Sequence, residues 1–328
     1  MAELSNQLMV VTVLAYLAAM VCHAAEYAFG NRGPVGRAAT RPARELVGAA
    51  AATDVSDIDA RPVDPVSPLV AAGRPGRASW AGRAAVAVFT FGVLAHLGTL
   101  LTRSLAAHRM PWGNMYEFIL SVTFVGAVAW IGVLSRRPTI RHLGLFVALV
   151  LVVLLGANGL IAYTPVGPLV PALHSYWFLV HISTVILASG VFLLGVVPAA
   201  TFLIKSGYDH GYRRFPYTLG PRLPAADVLD RLTFRLHAFA FPLFTFGALI
   251  AGPLWAEASW GRYWGWDPKE VWAFISWIVY AGYLHARATP SVKKTTATWI
   301  AVLGFLTMLM NLFGVNIFFT GLHSYGGL

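Results

Sequence analysis

Cysteine and charge are what this sequence has least of. One cysteine, Cys22, stands in 328 residues. No disulfide can form within the chain, no cysteine-based metal site is possible, and no thiol pair can carry a group covalently. Cys22 lies in an apolar run and reads as a small packing residue. Charged side chains make up only 12% of the chain, while 57% is hydrophobic and the mean hydropathy is +0.65. That balance excludes an ordinary soluble domain. No internal repeat is evident. A net charge of +10 raises nucleic acid as a partner. The apolar bulk assigns the basic excess to membrane topology instead.

Runs of about 20 apolar residues recur, each long enough to cross a bilayer. They predict an all-α, polytopic membrane bundle of about eight transmembrane helices. The first is Leu8–Phe29. It lacks a basic leader and a small-residue cleavage site, and reads as a retained helix. Residues 30–79 are rich in Ala, Pro, Gly and Arg and poor in large apolar side chains, which predicts a disordered loop. Further spans are expected at Ala84–Thr102, Met115–Leu134, Leu143–Ala162, Tyr176–Ile204, Leu236–Trp255, Val271–His285 and Thr298–Phe319. A three-proline loop, Thr164–Ala172, and a basic connector over 205–235 join some of them.

Eight crossings put both termini on one side. One face carries 20 of the 24 basic residues, in the 30–83 loop, the 136–141 turn, the 205–235 connector and the 287–294 turn. The other carries only Arg103, Arg109, Arg262 and Lys269. The positive-inside rule then places both termini, the 164–172 loop and the loop after residue 260 outside a cell membrane.

That last loop, Trp260-Gly-Arg-Tyr-Trp-Gly-Trp-Asp-Pro-Lys-Glu-Val-Trp272, is the densest aromatic stretch. Gly261 and Gly265 break regular structure, so Trp260, Trp264 and Trp266 are expected in a loop. Asp267 can cap the next helix, Pro268 suits its first position, and Glu270 completes a capping box. An aromatic belt at the membrane interface explains such a cluster without any function. A preorganised flat surface for a planar ligand explains it too, and accounts for the glycines and the rigid exit.

Ten histidines invite a haem reading, because neutral imidazole is the common axial ligand. His142 and His210 fall in turns and are expected to be solvated. His23, His96 and His237 read as satisfied helix histidines. His181 and His323 lie near the outer ends of two spans, at the depth of the Trp-rich loop, and can flank a planar ligand. His285 ends the seventh span on the inner face. It lies about 20 Å from that site along the helix, so it needs another haem or another role.

The run WGRYWGWDPKEVW resembles the "WWD" signature of haem-handling proteins. Its DPKE ending is similar to the CcsA (ResC-type) subunit of the system II cytochrome c synthase rather than to CcmC or CcmF. From about residue 80 onward further words match. They are Asn114-Met-Tyr-Glu117, Val180-His-Ile-Ser183, Tyr283-Leu-His-Ala-Arg287, Phe313-Gly-Val-Asn316 and Gly321-Leu-His-Ser-Tyr-Gly326. Residues 1–79 match only as a leading span. The resemblance implies that 80–328 is a haem-handling domain working on haem b. It implies that His181 and His323 ligate an external haem and that His285 ligates an inner one completed by a CcsB (ResB-type) partner. His174 stands where the family has a non-ligating residue. Trp260, Trp264, Trp266 and Trp272 would form the shelf, Arg262 and Lys269 would meet the propionates, and Asp267 would act mainly as a cap. The activity implied is haem attachment to a CXXCH apocytochrome c, in a synthase active only with its partner and served by a thioredoxin-like thiol-reducing pathway. A haem exporter without ligation activity, and a b-type electron-transfer subunit, are the alternatives.

Overall fold

The structure is a computed structural model. It describes residues 1–29 and 77–323, so the expectation of a disordered 30–79 loop falls almost wholly outside the described residues. The chain folds as a polytopic helical membrane bundle. Its helices are α1 (Ala2–Phe29), α2 (Arg77–Ala107), α3 (Met115–Arg136), α4 (Gly144–Ile161) and α5 (Tyr176–Asp209). Next come α6 (Ala226–Phe246), α7 (Gly252–Trp260), α8 (Pro268–Ala288), α9 (Lys294–Leu309) and the short α10 (Val315–Phe318).

Two pairs are continuous. A π turn over Gly247–Ala251 joins α6 to α7, and another over Met310–Gly314 joins α9 to α10. The sixth span therefore runs from Ala226 to Trp260, five residues past the expected end. Trp260 closes a helix rather than opening a loop. Gly261 follows it at φ +69°, the left-handed stop that glycine accepts without strain. The 205–235 connector shrinks at both ends, because α5 continues to Asp209 and α6 starts at Ala226.

Seven of these stretches are long and apolar enough to cross a membrane. The expected seventh span, within α8, is not among them. Its 21 residues still cover about 32 Å, close to the thickness of a bilayer core. It also starts beside the end of the α9–α10 stretch and finishes next to its beginning, so it retraces that crossing in reverse.

α5 is the mast of the bundle. Of its apolar window 83% is buried, against 28–50% for the other spans. It crosses α3 at two glycines. A Cβ on Gly190 would come within 2.6 Å of Val125 and 2.8 Å of the Val122 carbonyl, and one on Gly126 within 3.2 Å of the Gly190 carbonyl. Small residues of this kind let two membrane helices approach closely. The main core gathers Trp130, Leu143, Leu151 and Leu193 around that crossing. His142 is not simply solvated, since its ring packs 5.9 Å from that of Tyr27. His237 is buried, donating from Nδ1 to the Thr233 carbonyl at 2.8 Å.

Candidate functional site

The starts of α3, α5 and α8 and the ends of α7 and α10 meet at one end of the bundle. Between them lies a cleft with about 1420 Å³ of empty space, open solvent included. Its walls are mostly apolar: Trp112, Phe118, Phe178, Trp255, Trp260, Trp264 and Leu312. Its polar lining includes His181, His323, Lys269 and Glu270. A large apolar cavity with a few convergent polar groups is the usual form of a cofactor or ligand site.

His181 projects from the second turn of α5. Its Nδ1 donates to the Gly247 carbonyl at 2.8 Å. That carbonyl opens the π turn and also accepts from the N–H of Gly252. The bulge thus aims a backbone oxygen sideways at the imidazole. Gly252 is needed there, because a Cβ would stand 3.2 Å from Nδ1. The ring stacks on Trp255 with centroids 5.2 Å apart and planes 18° from parallel.

His323 comes from the segment after α10. Its Nδ1 donates to Asp267 Oδ1 at 2.7 Å, and the N–H of Leu322 donates to Oδ2 at 2.6 Å. Its ring lies edge-on to Trp255 and to Trp260, at 5.4 and 5.1 Å. Asp267 is also the N-cap of α8, accepting from the Lys269 N–H at 3.1 Å. Glu270 completes the capping box and accepts from the N–H groups of Gly265 and Asp267 at 2.8 and 3.1 Å. Asp267 is therefore both the expected cap and the clip that ties the chain's last described segment to α8. Burial pushes its carboxyl upward. The hydrogen bond and charge of His323, with the two backbone donors, outweigh that and hold it below the usual carboxylate range.

Lys269 reaches into the cleft. Its Nζ donates to the Asn311 carbonyl at 3.1 Å, within the second π turn, and no carboxylate lies in ion-pair range among the described residues. Arg262 does not line the cleft. Its guanidinium lies over Gly265, where a Cβ would collide with it. The tryptophans do not form one flat shelf. Trp264 and Trp266 are nearly perpendicular at 89°, Trp266 is 70% exposed, and neither Trp266 nor Trp272 borders the cavity. The tryptophans that line the cleft are instead Trp112, Trp255, Trp260 and Trp264. Trp255 is what sequence reasoning missed, because it stood at the expected end of a span. The signal was its place five residues before Trp260, within the same helix.

Arg103 and Arg109, counted above among the few basic residues of the outer face, are not loose charges. Both bind Glu117, whose carboxylate is fully buried. Arg103 Nε donates to it at 2.9 Å, Arg109 Nη1 at 2.7 Å and the Gly113 N–H at 2.7 Å. Arg103 also donates to the Thr164 carbonyl and Arg109 to that of Gly167. The clamp joins the 108–114 and 162–167 loops behind the wall that carries Trp112. His285 is exposed at the far end of α8, about 27 Å along the helix from Asp267. The structure thus brings together His181, His323, Asp267, Lys269, Trp260 and Trp264, and leaves His285, Arg262, Trp266 and Trp272 outside the cleft.

This architecture and this site can be set beside known proteins. The family model described as "Cytochrome C assembly protein" matches residues 112–323, which include every residue of the cleft. A cytochrome c biogenesis protein CcsA from Guillardia theta is 33% identical over 243 residues, covering 69% of this chain and 80% of that one. The CcsA of Gloeobacter violaceus is 31% identical over 285 residues, covering 72% and 84%. Among solved structures, a cytochrome c haem lyase CcmF aligns with 95% of this chain at a TM-score of 0.59 and 19% identity. The match spans 46% of that longer chain and speaks for the fold alone. The chain belongs to the cytochrome c assembly family, as a CcsA-type cytochrome c biogenesis protein of the membrane.

Proposed function

We propose that the cleft holds haem b at the outer face of a cell membrane and presents it for thioether attachment to the CXXCH motif of an apocytochrome c. Haem is here the substrate. The observation that carries the reading is the convergence of two imidazoles, from separate elements, in one aromatic cleft beside a lysine with no carboxylate in ion-pair range among the described residues. The donor set fits. Each imidazole has Nδ1 engaged by an oxygen, which directs Nε2 toward a metal. Apolar rings suit the macrocycle, and the Lys269 ammonium suits a propionate.

Within this reading the chain's residues mainly position. His181 and His323 hold the iron, and Trp255, Trp260 and Trp264 hold the ring edge toward the incoming thiols, a proximity effect. Each thiol S–H adds across one vinyl group, so no electrons are consumed in forming the bond. The exposure of His285, far from the cleft, supports a second haem site completed by a histidine from a CcsB-type partner. His285→Ala, co-expressed with the partner, should lower haem content while the complex still assembles. Unchanged haem would remove that role.

The deciding experiment is covalent attachment. The chain and its partner, loaded with haem, should yield a thioether-linked product from a CXXCH peptide under thiol-reducing conditions. A haem exporter would bind haem equally well and yield none.

A further inference from the structure

The two cleft histidines are held in unlike ways. His323 donates to a carboxylate, Asp267 Oδ1, at 2.7 Å. His181 donates to a neutral backbone carbonyl, Gly247 O, at 2.8 Å. That carbonyl is shared, since it also closes the π turn with the Gly252 N–H. A carboxylate behind an imidazole raises its basicity and strengthens it as a metal ligand, whereas a shared carbonyl does much less. Asp267 is itself fixed, by the backbone N–H groups of Lys269 and Leu322 and by the capping box.

We infer that Asp267 is a positioning residue that makes His323 the retained ligand and His181 the one surrendered when a substrate imidazole arrives. This rests on the haem reading above. The step is a ligand exchange. The iron–nitrogen bond to His181 breaks as the bond to the incoming histidine forms, and no electron or proton changes hands. His181 keeps its stack on Trp255 and its bond to the Gly247 carbonyl before and after the exchange.

The geometry also gives the exchange a direction. The carboxylate behind His323 strengthens its hold on a metal, so the bond to His181 is the weaker of the two to break. The substrate imidazole therefore takes the place that His181 gives up, on the α5 side of the cleft, where Phe178 and Trp255 pack with ring centroids 5.5 Å apart.

The test uses the full chain with its partner, loaded with haem, and a peptide carrying Ser-X-X-Ser-His, which can exchange a ligand but cannot form a thioether. After peptide binding, diethyl pyrocarbonate should modify His181 well above His323, as read by mass spectrometry. Equal, reversed or absent modification overturns the inference. Asp267→Asn should raise the midpoint potential of the bound haem, weaken haem binding by about 10- to 100-fold, and abolish the preference between the two histidines. Ser259→Ala, next to Trp260 but bonded to the Ala172 carbonyl and not lining the cleft, should move neither the potential nor the preference. An unmoved potential in Asp267→Asn also overturns it. A complex lacking a low-spin bis-imidazole spectrum, or keeping it in both His181→Gly and His323→Gly, would instead sink the haem reading, and this inference with it.

Discussion

Glu117→Ala is the sharpest test of how the cleft wall is held. The substitution removes a carboxylate that is 0% exposed and faces Arg103, itself 1% exposed. Two guanidinium groups, Arg103 fully buried and Arg109 partly so, then remain without their counter-charge. Breaking a buried pair from one side costs about 3–5 kcal/mol. The Gly113 N–H also loses its acceptor, worth about 1–3 kcal/mol if it stays dry. Some relief comes from bonds that survive. Arg103 keeps the Thr164 carbonyl and the Tyr116 ring, 4.6 Å beneath it, and Arg109 keeps the Gly167 carbonyl. The lower end, about 3 kcal/mol, is therefore expected. At roughly 2–4 °C per kcal/mol, the thermal midpoint should fall by about 6–12 °C. Tryptophan fluorescence of the detergent-solubilised chain during heating reads this directly. Glu117→Gln keeps one acceptor oxygen and should lose about half as much. A Glu117→Ala midpoint within about 1 °C of the parent would refute the account, because the two arginines would then be finding water rather than depending on Glu117.

Three further expectations concern the cleft and the topology. His181→Gly and His323→Gly should each abolish cytochrome c maturation, with partial recovery in added imidazole. Trp255→Ala should lose haem without such recovery, so rescue of the tryptophan variant would contradict its role as a stacking surface. Lys269→Met should weaken binding of haem by about 1.5–3 kcal/mol, roughly 10- to 100-fold. The same variant should bind haem dimethyl ester as the parent does, and Arg262→Ala should change neither. In a Cys22→Ala background, cysteines at Ser56 and Ala258 should react with impermeant maleimide from opposite sides of the membrane. Reaction from one side alone would end the eight-crossing topology.

Much of this is legible in the residues themselves, for reasons that differ from one to the next. The helical spans were legible because length and apolarity are set by the bilayer. The Asp267–Glu270 box was legible because capping is local, decided within four residues. His181 and His323 could be placed at one depth from helix rise alone. What stayed hidden was long-range or a matter of one residue's phase. Asp267 grips Leu322 and His323 across 55 and 56 residues, and no local pattern carries that. Arg103 and Arg109 were counted only as charges of the outer face, because their neutralising partner, Glu117, lies 14 and 8 residues away and no local pattern ties the three together. Trp255 was assigned to a span's end because a regular helix was assumed to finish there. The π turn prolongs it and swings that ring onto His181.

That π turn carries a consequence for descent. It is an α-helix with one residue too many, so side chains after Ala251 stand about 100° around the axis from where an unbroken helix would set them. Deleting a single residue between Gly247 and Ala251 would restore a perfect helix and a better local geometry. It would also turn Trp255 and Trp260 off the cleft together and withdraw the oxygen that His181 leans on. Such a deletion is silent by every measure of hydropathy or helix propensity. The cleft is in this sense encoded as an offset in a reading register, and selection can protect it only by counting residues, not by weighing them.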